Sequence, residues 1–392
     1  MSATDRDMSI TRLNGTFLVR CIITVAKAFG FLLPFRNDSS LFFFFPFMHV
    51  GGAEKVHSDI VGCFSGEKPW VFFTKRSDND KFRSHFPVGA HLFNIWPLLK
   101  YGYPFSVGVM AGFVNSHTSP VVFGSNSLFY YLMIPYLKSH VRRIDLMHAF
   151  GGASDEFSLP VVDKIDWRVV INGKTTADLK AQYVANYVDP RLLDRIVLIE
   201  NRVTIPQEYP KRIAADELTV IFVGRGAPEK RVHLVGKAAT RCTEKMIPAR
   251  FVLVGDIGEA VEACDRANCL WRGEIANPSE LEGIYREADV LVLTSDREGF
   301  PIVIMEAMAH GVVPVCTDVG GISRHLHHGS NGILLENGAE EKIVEGLVSS
   351  TELLCKDRKL LKRLSLNAFE YARATFDSGT FCSDYRRLIL DK

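Results

Sequence analysis

Residues 289–321 constrain the fold more than any other part of this chain, because they read as strand, loop, helix, strand and glycine loop in immediate succession. Asp289-Val290-Leu291-Val292-Leu293 is a short apolar run of the kind buried in a parallel sheet. Pro301 suits the first position of the following helix, where its missing N–H would be unpaired in any case. Gly311 falls just past the last apolar position, where a left-handed cap is expected. The helix N-terminus therefore follows directly on Glu298-Gly299-Phe300, and its free amides and positive dipole end favour a phosphate there.

Two carboxylates bracket that point. Glu298 lies in the loop and Glu306 inside the helix, with seven residues between them. Glu306 shares a face with Ile302, one turn deeper than the first free amides. One carboxylate can then reach hydroxyls on one side of a bound diphosphate and the other those on the far side, the layout of a nucleotide-sugar. An isolated pair of glutamates at this spacing is usually two solvated acids. The flanking Gly299-Phe300-Pro301, Ala307-Met308-Ala309 and Gly320-Gly321 set this pair apart.

With those residues in view, the chain resembles the retaining family 4 (group 1) glycosyltransferases, whose donor-site signature runs roughly E-G-F-[GP]-x-x-x-x-E-A-M-A-x-G, then a strand and a Gly-Gly loop. The resemblance implies an α/β chain of two doubly wound, Rossmann-like domains facing across a cleft, the GT-B architecture. It implies that Glu298 contacts hydroxyls of the donor sugar and Glu306 the ribose. It also implies that backbone amides around Gly299, Phe300, Pro301 and Ile302 hold the diphosphate. The expected division is an N-terminal extension over 1–37, an acceptor-binding domain over 38–206 and a donor-binding domain over 207–376. A last helix over 377–392 would cross back to the first domain from about Phe376-Asp377.

The length of 392 residues allows two ordinary domains, and 47% hydrophobic with 23% charged residues is a globular balance. A net charge of +1 gives no argument for nucleic acid, and none is expected as a partner. None of the eight cysteines forms a C-x2-C pair, so the expected state is reduced, buried thiols in a cytosolic protein. Residues 1–16 are polar and show no cleavable signal pattern. Residues 17–35 are strongly apolar but interrupted at helical spacing by Arg20, Thr24 and Lys27. Charges near the middle argue against a spanning helix. Two readings stay open for this segment: an amphipathic helix lying on a membrane surface, or a helix packed on its own domain.

Along the first half, Leu41 to Met48, Trp70 to Thr74, His91 to Trp96, Pro120 to Phe123, Ile144 to His148, Trp167 to Asn172 and Arg195 to Glu200 read as strands separated by helical stretches. That alternation indicates a parallel, doubly wound sheet. Gly51-Gly52 lies between the first strand and its helix, where the backbone can approach an anion closely. In the family this loop faces the donor phosphates or the acceptor. His148 falls at a strand's carboxyl end, where open α/β sheets bind ligands, and Gly151-Gly152 follows it. A lone histidine is more often structural, but the family carries one here near the donor sugar. Asp78-Asn79-Asp80 is read as a solvated turn, not a metal–diphosphate site. Asn201-Arg202-Val203-Thr204 resembles the family's Asn-Gly-Val-Asp, with Arg202 in place of glycine. The polar stretch 207–216 reads as a linker.

The second half restarts with Leu218 to Val223 and Gly224-Arg225-Gly226-Ala227-Pro228-Glu229-Lys230-Arg231. Arg225 and Lys230 in a glycine-led loop could neutralise a diphosphate leaving group as its charge develops. The match to the family's phosphate loop favours that role over a solvated loop, while Glu229 is given no chemistry. Gly273 to Ile275 lies where the family clamps the nucleobase through backbone groups. Ser279 with Glu282 three residues on reads as a capping box. Arg324 stands where many relatives carry glutamate.

The resemblance therefore implies transfer of a hexose-type sugar from a nucleoside-diphosphate sugar to a hydroxyl of a glycan or lipid-linked acceptor, with retention. The expected setting is polysaccharide or glycolipid synthesis of the cell envelope. The catalytic candidates are Glu298, Arg225, Lys230 and His148. Glu306, Gly299, Phe300, Pro301, Ile302, Gly224, Gly273 and Ile275 would bind the donor, and Gly51 and Gly52 would form a phosphate or acceptor loop. No metal and no resident cofactor are expected. The location would be cytoplasmic, including the inner face of the membrane. A sugar-nucleotide epimerase or hydrolase on this fold, and a non-catalytic nucleotide-sugar-binding protein, are the rival readings.

Overall fold

The computed structural model describes residues 16–33, 39–77, 79–151, 153–210 and 216–391. Residues 1–15 of the polar start, Asp78 of the Asp-Asn-Asp turn, Gly152, and 211–215 of the linker lie outside the described residues. The chain divides into two compact units. The first comprises Met1–His49, Ala53–Glu200 and Cys382–Lys392, and the second Val50–Gly52 and Asn201–Phe381.

The first unit is built on seven parallel strands: β1 (Leu41–Phe45), β2 (Trp70–Phe73), β3 (His91–Asn94), β4 (Val121–Ser125), β5 (Arg142–Met147), β6 (Trp167–Val170) and β7 (Ile196–Leu198), in the order β3-β2-β1-β4-β5-β6-β7. Every residue of β1 is buried, as its run of four phenylalanines requires of a central strand covered on both faces. Phe44 stacks on Phe72 of the neighbouring strand at 5.2 Å. The order reverses between β1 and β4, so the chain leaves the sheet to opposite sides there, the point where doubly wound sheets open a crevice. On β5, Asp145 stands opposite Arg168 of β6 and pairs with it at 3.0 Å. The Tyr131 hydroxyl donates to the same carboxylate at 2.9 Å, so two buried charges are held by several bonds and fix the strand that leads to His148.

The apolar segment at the start of the chain forms the helix Phe17–Phe31. Its inner face, with Ile23, Ala26 and Gly30, packs against the helix Trp96–Asn115. The approach is close: a Cβ added at Gly30 would lie 1.8 Å from the Val109 carbonyl oxygen, and one at Gly108 2.3 Å from that of Ile23. Among the described residues no helix is long and apolar enough to cross a membrane.

The expectation of reduced thiols is corrected by a disulfide between Cys63 and Cys382, which are 319 residues apart. It joins the end of the helix Gly52–Gly62 to the last helix, Phe381–Leu390. Arg386 adds bonds to the Cys63 carbonyl (2.7 Å) and to Glu67 (2.6 Å). The remaining thiols are not all buried either, since Cys21 and Cys264 are exposed. Spacing could not reveal the pairing, because the fold rather than a local motif brings the two cysteines together.

The second unit repeats the plan with six parallel strands: β8 (Leu218–Val223), β9 (Ala249–Val254), β10 (Cys269–Gly273), β11 (Val290–Leu293), β12 (Val313–Thr317) and β13 (Ile333–Leu335), in the order β10-β9-β8-β11-β12-β13. The reversal falls between β8 and β11. Two helix starts differ from the sequence reading. Pro301 is extended (ψ 128°) and caps the helix Ile302–Ala309 instead of opening it. Asn277, not Ser279, caps the helix Pro278–Glu287: its side chain accepts the Ser279 N–H, and Pro278 takes the first helical position. Gly311 is left-handed (φ 65°) one residue past the cap, as its position implied.

Candidate functional site

In the second sheet the loops leaving β8 and β11 flank the reversal of strand order, and both carry the charged residues singled out in the sequence. Backbone bonds build the first loop. Gly224 N–H donates to the Val254 carbonyl at 2.9 Å, Gly226 N–H to Asp256 at 2.7 Å, and Gly255 N–H to Gly273 at 2.7 Å. Gly255 has φ +124°, and a Cβ there would fall 2.0 Å from the Gly224 oxygen, so only glycine fits. The Trp271 indole N–H donates to the Gly255 carbonyl at 2.9 Å. The phosphate-loop candidate Gly224 and the base-clamp candidate Gly273 are thus held in one network with Gly255, while Ile275 is buried beside it in sequence.

The second loop is latched to the first. Thr294 Oγ1 donates to the carbonyls of Lys230 (3.0 Å) and Arg231 (2.9 Å), and Asp296 N–H donates to Glu229 at 2.9 Å. Arg231, in the left-handed region (φ 45°), sends its guanidinium back to the carbonyls of Thr294 (2.7 Å) and Ser295 (3.0 Å) and to Asn337 (2.7 Å). Sequence reading passed over Arg231, Thr294 and Ser295; their part is to fix the two loops together.

The latch brings Lys230 and Glu298 into contact. Lys230 Nζ donates to Glu298 Oε1 at 2.5 Å, and Ser295 Oγ donates to the same oxygen at 2.6 Å. The Glu298 side chain is only 9% exposed, so the pair is largely desolvated and held at one oxygen. The sequence reading gave these residues separate duties, one for the diphosphate and one for the sugar. The structure makes them partners. Gly320 (φ +61°) braces the loop from below: a Cβ there would lie 1.8 Å from the Glu298 carbonyl oxygen, and Gly321 N–H donates to Gly299 at 2.7 Å.

The helix Ile302–Ala309 starts immediately after. Its first amides have no partner within the helix and carry the positive dipole end. Pro301 has no N–H, so of the four residues from Gly299 to Ile302 it can contribute none. Phe300 is buried against His325 (4.5 Å) and Phe376 (5.5 Å), so its ring anchors the loop and only its backbone is available to a ligand. Inside the helix, Glu306 accepts from the hydroxyl of buried Tyr285 at 2.9 Å. Burial, then the Glu306 charge, hold that phenol well above its ordinary pKa, so it stays a donor that orients the carboxylate. Arg225 is exposed in the β8 loop.

In the first unit, His148 follows β5 and shares a hydrogen bond with His57 of the helix Gly52–Gly62, Nε2 to Nε2 at 3.0 Å. His57 is fully buried and stacks on Phe45 at 4.0 Å. Burial pushes the His148 imidazolium down to about 4, and burial followed by the His148 charge lowers His57 well below its ordinary value. Both rings are therefore neutral near neutral pH, one donating to the other. His57 was missed in the sequence because it sits among apolar neighbours, Val56 and Ile60, where a histidine gives no functional signal. Arg202, the departure from the Asn-Gly pattern, donates to the Thr375 carbonyl at the end of the helix Arg358–Thr375. Val203 N–H donates to Phe376 at 3.0 Å, so the arginine finishes a helix end at the segment leading out of that helix. Among the described residues, no group of three or more His, Cys, Asp or Glu side chains is placed to hold a metal ion.

Two parallel-sheet Rossmann-like domains of this kind are the GT-B fold. The structure of Anabaena Alr3699/HepE in complex with UDP and glucose matches with a TM-score of 0.70 at 17% identity, covering 90% of this chain and 100% of that one. The structure of WaaG, a glycosyltransferase involved in lipopolysaccharide biosynthesis, matches at 0.67 and 16%, covering 90% and 100%. The family model described as "Glycosyl transferases group 1" matches residues 206–371. The N-acetyl-alpha-D-glucosaminyl L-malate synthase of Bacillus anthracis is 28% identical over 219 residues, 54% of this chain and 53% of that protein. The D-inositol 3-phosphate glycosyltransferase of Rhodococcus erythropolis is 26% identical over 201 residues, 43% and 45% respectively. The chain spans about half the length of the curated relatives it matches. The match to that family model lies within the second unit.

Proposed function

We propose that the chain transfers a hexose-type sugar from a nucleoside-diphosphate sugar to an acceptor hydroxyl, with retention at the anomeric carbon. The observation that carries the reading is the Lys230–Glu298 pair. It is held at the strand-order reversal of the second sheet, just before a helix N-terminus suited to a diphosphate. Lys230 and Arg225 would meet the negative charge that develops on the leaving diphosphate. No metal or resident cofactor is needed for that role. Glu298 accepts Lys230 and Ser295 on one oxygen, leaving the other to orient a sugar hydroxyl. Glu306, steadied by Tyr285, would take the ribose. Attack on the face the phosphate vacates accounts for retention without a covalent role for Glu298. His148 and Gly51-Gly52 keep the roles that the family resemblance implies.

Several fold neighbours are complexes with UDP, UDP-glucose or UDP with a sugar, which supports a nucleotide-sugar donor. WaaG acts in lipopolysaccharide biosynthesis, and a Bacillus subtilis relative carries the name of a putative teichuronic acid biosynthesis glycosyltransferase. Both support a glycan or lipid-linked acceptor of the cell envelope. The reading includes a cytoplasmic location at the inner membrane face. The Cys63–Cys382 disulfide weighs against a reducing compartment.

The test is thermal stabilisation by a panel of nucleoside diphosphates, followed by turnover of the matching sugar nucleotides. A ligand at about 100 times its Kd should stabilise the fold by about 2.7 kcal/mol. Lys230→Ala and Glu298→Ala should each cost on the order of 100-fold in turnover while remaining folded. Product formed without acceptor would indicate an epimerase or hydrolase. Binding with no turnover across a broad acceptor screen would indicate a binding protein.

A further inference from the structure

We propose that a cleft in the first unit, at the amino ends of β5 and β6, is a carbohydrate site that takes a neutral pyranose of a glycan chain. It goes beyond the transfer reading and does not depend on it. The cleft has a volume of about 640 Å³, the size of a small-ligand site. Arg142 is the first residue of β5 and Trp167 the first of β6, and both line it. His148 follows the opposite end of β5. Six residues of extended chain put about 20 Å between the cleft and that end of the sheet.

The cleft offers an aromatic surface. Trp167 is half-buried in its wall. The indole N–H groups of Trp70 and Trp271 each donate to a backbone carbonyl. That of Trp167 has no acceptor, and its ring stacks on no other, among the described residues. A pyranose carries an apolar face of C–H groups that such a ring can cover, with hydroxyls around its edge.

Beside the ring stand polar groups that the fold holds in place without using them up. Arg142 Nη1 donates to the carbonyls of Leu388 (3.2 Å) and Ile389 (3.3 Å). Arg195 Nη1 donates to those of Asp163 (3.0 Å) and Ile165 (2.8 Å). Each guanidinium is thus pinned at one nitrogen, and among the described residues its Nε and Nη2 make no hydrogen bond. Asp166 accepts the Arg143 backbone N–H on Oδ2 at 2.7 Å, which leaves Oδ1 open. Asp194 has no hydrogen-bond or ion-pair partner among the described residues. Arg191, exposed beside them, is already paired with Asp189 at 2.6 Å.

The mixture of signs selects the ligand. A phosphate would meet the two arginines but also the open carboxylates of Asp166 and Asp194. A hydroxyl gives one hydrogen bond and accepts others, so guanidinium donors next to carboxylate acceptors suit the adjacent hydroxyls of a neutral sugar.

The experiment uses the full chain labelled with 5-fluorotryptophan, whose four indoles give four fluorine resonances. Trp167→Phe removes one of them and so identifies the reporter. Maltotriose, chitotriose and mannotriose are each titrated to about 50 mM. At least one should move the reporter saturably, with a Kd on the order of 1 mM, while inorganic phosphate leaves it in place. Asp194→Ala, which breaks no contact among the described residues, should weaken that binding roughly three- to tenfold. Thermal shifts with nucleoside diphosphates, read in parallel, should be the same in the wild type and both variants, so failure of this site and failure of the donor site are separable. A reporter that none of the three trisaccharides moves overturns the proposal. So does a reporter that phosphate moves equally, because the cleft would then be an anion site. Wild-type affinity in Asp194→Ala overturns it as well, since the carboxylate would then play no part in recognition.

Discussion

The paired histidines make a pH prediction whose size follows from the structure. His148 has an ordinary value of 6.5 and is held at about 4 by desolvation in the folded chain. Above pH 6.5 it is neutral in both states and its burial carries no titration cost. As pH falls from 6.5 towards 4, the unfolded chain takes up a proton that the folded chain refuses, so stability drops across that window and levels off below it. Between about pH 7.5 and about pH 5 the loss from this one group is about 2 kcal/mol. His148 keeps part of its surface in solvent, so that figure is an upper one. For a unit of this size it corresponds to a fall of roughly 4–8 °C in the unfolding temperature of the first unit. His57 titrates in the same direction, and part of its own depression is the charge of His148. The assay is differential scanning calorimetry of the wild type and His148→Gln at both pH values. Glutamine keeps a polar group beside His57 but cannot charge. The variant should lose several degrees less than the wild type over the same interval, whatever its absolute stability. Parallel losses in the two proteins would refute a buried, neutral His148.

Two further perturbations test the supports of the fold and the site. Gly320→Ala forces a side chain into a left-handed position and into the Glu298 carbonyl, so it should destabilise the second unit by about 2 kcal/mol or more and weaken nucleotide binding with it; wild-type melting and binding would show that the loop has room. Cys382→Ser should lower the unfolding temperature of the first unit by the equivalent of about 2–5 kcal/mol, and thiol counting under denaturing, non-reducing conditions should rise by two on reduction of the wild type; an unchanged count would mean that Cys63 and Cys382 are free.

The parts of this molecule legible from sequence are those whose partners lie close along the chain. The strand, loop and helix around Glu298 could be read because alternation, a proline, a cap glycine and an apolar face occur within a few turns of one another. Helix starts slipped by one or two residues where two cap candidates compete, as with Asn277 and Ser279, since either side chain can reach an early amide. The apolar segment 17–35 showed its charges but not its partner. The glycines that seat it lie near residue 110, and a glycine inside a helical pattern does not announce what approaches it. The Cys63–Cys382 bond and the His57–His148 contact were silent for the same reason: each joins residues that only the folded sheet brings together.

The Lys230–Glu298 pair belongs to a middle class and shows what a sequence reading could still extract. Neither residue's local motif mentions the other, and 68 positions separate them. Yet once two series of alternating strands and helices are recognised, the doubly wound order places the first and fourth strands of each series side by side, with their following loops at the same end of the sheet. In the second series those are β8 and β11, whose loops carry Lys230 and Glu298. A cation in one loop and a carboxylate in the other are then neighbours by topology before any side chain is placed. The same step applied to the first series sets the loop after β1 beside the loop after β4, with His148 following β5 one strand further on. Topology therefore ranks the candidates. Residues after the first and fourth strands should couple to each other energetically, and Lys230→Ala with Glu298→Ala should be strongly non-additive in a double-mutant cycle, because either single change leaves a largely desolvated charge unpaired.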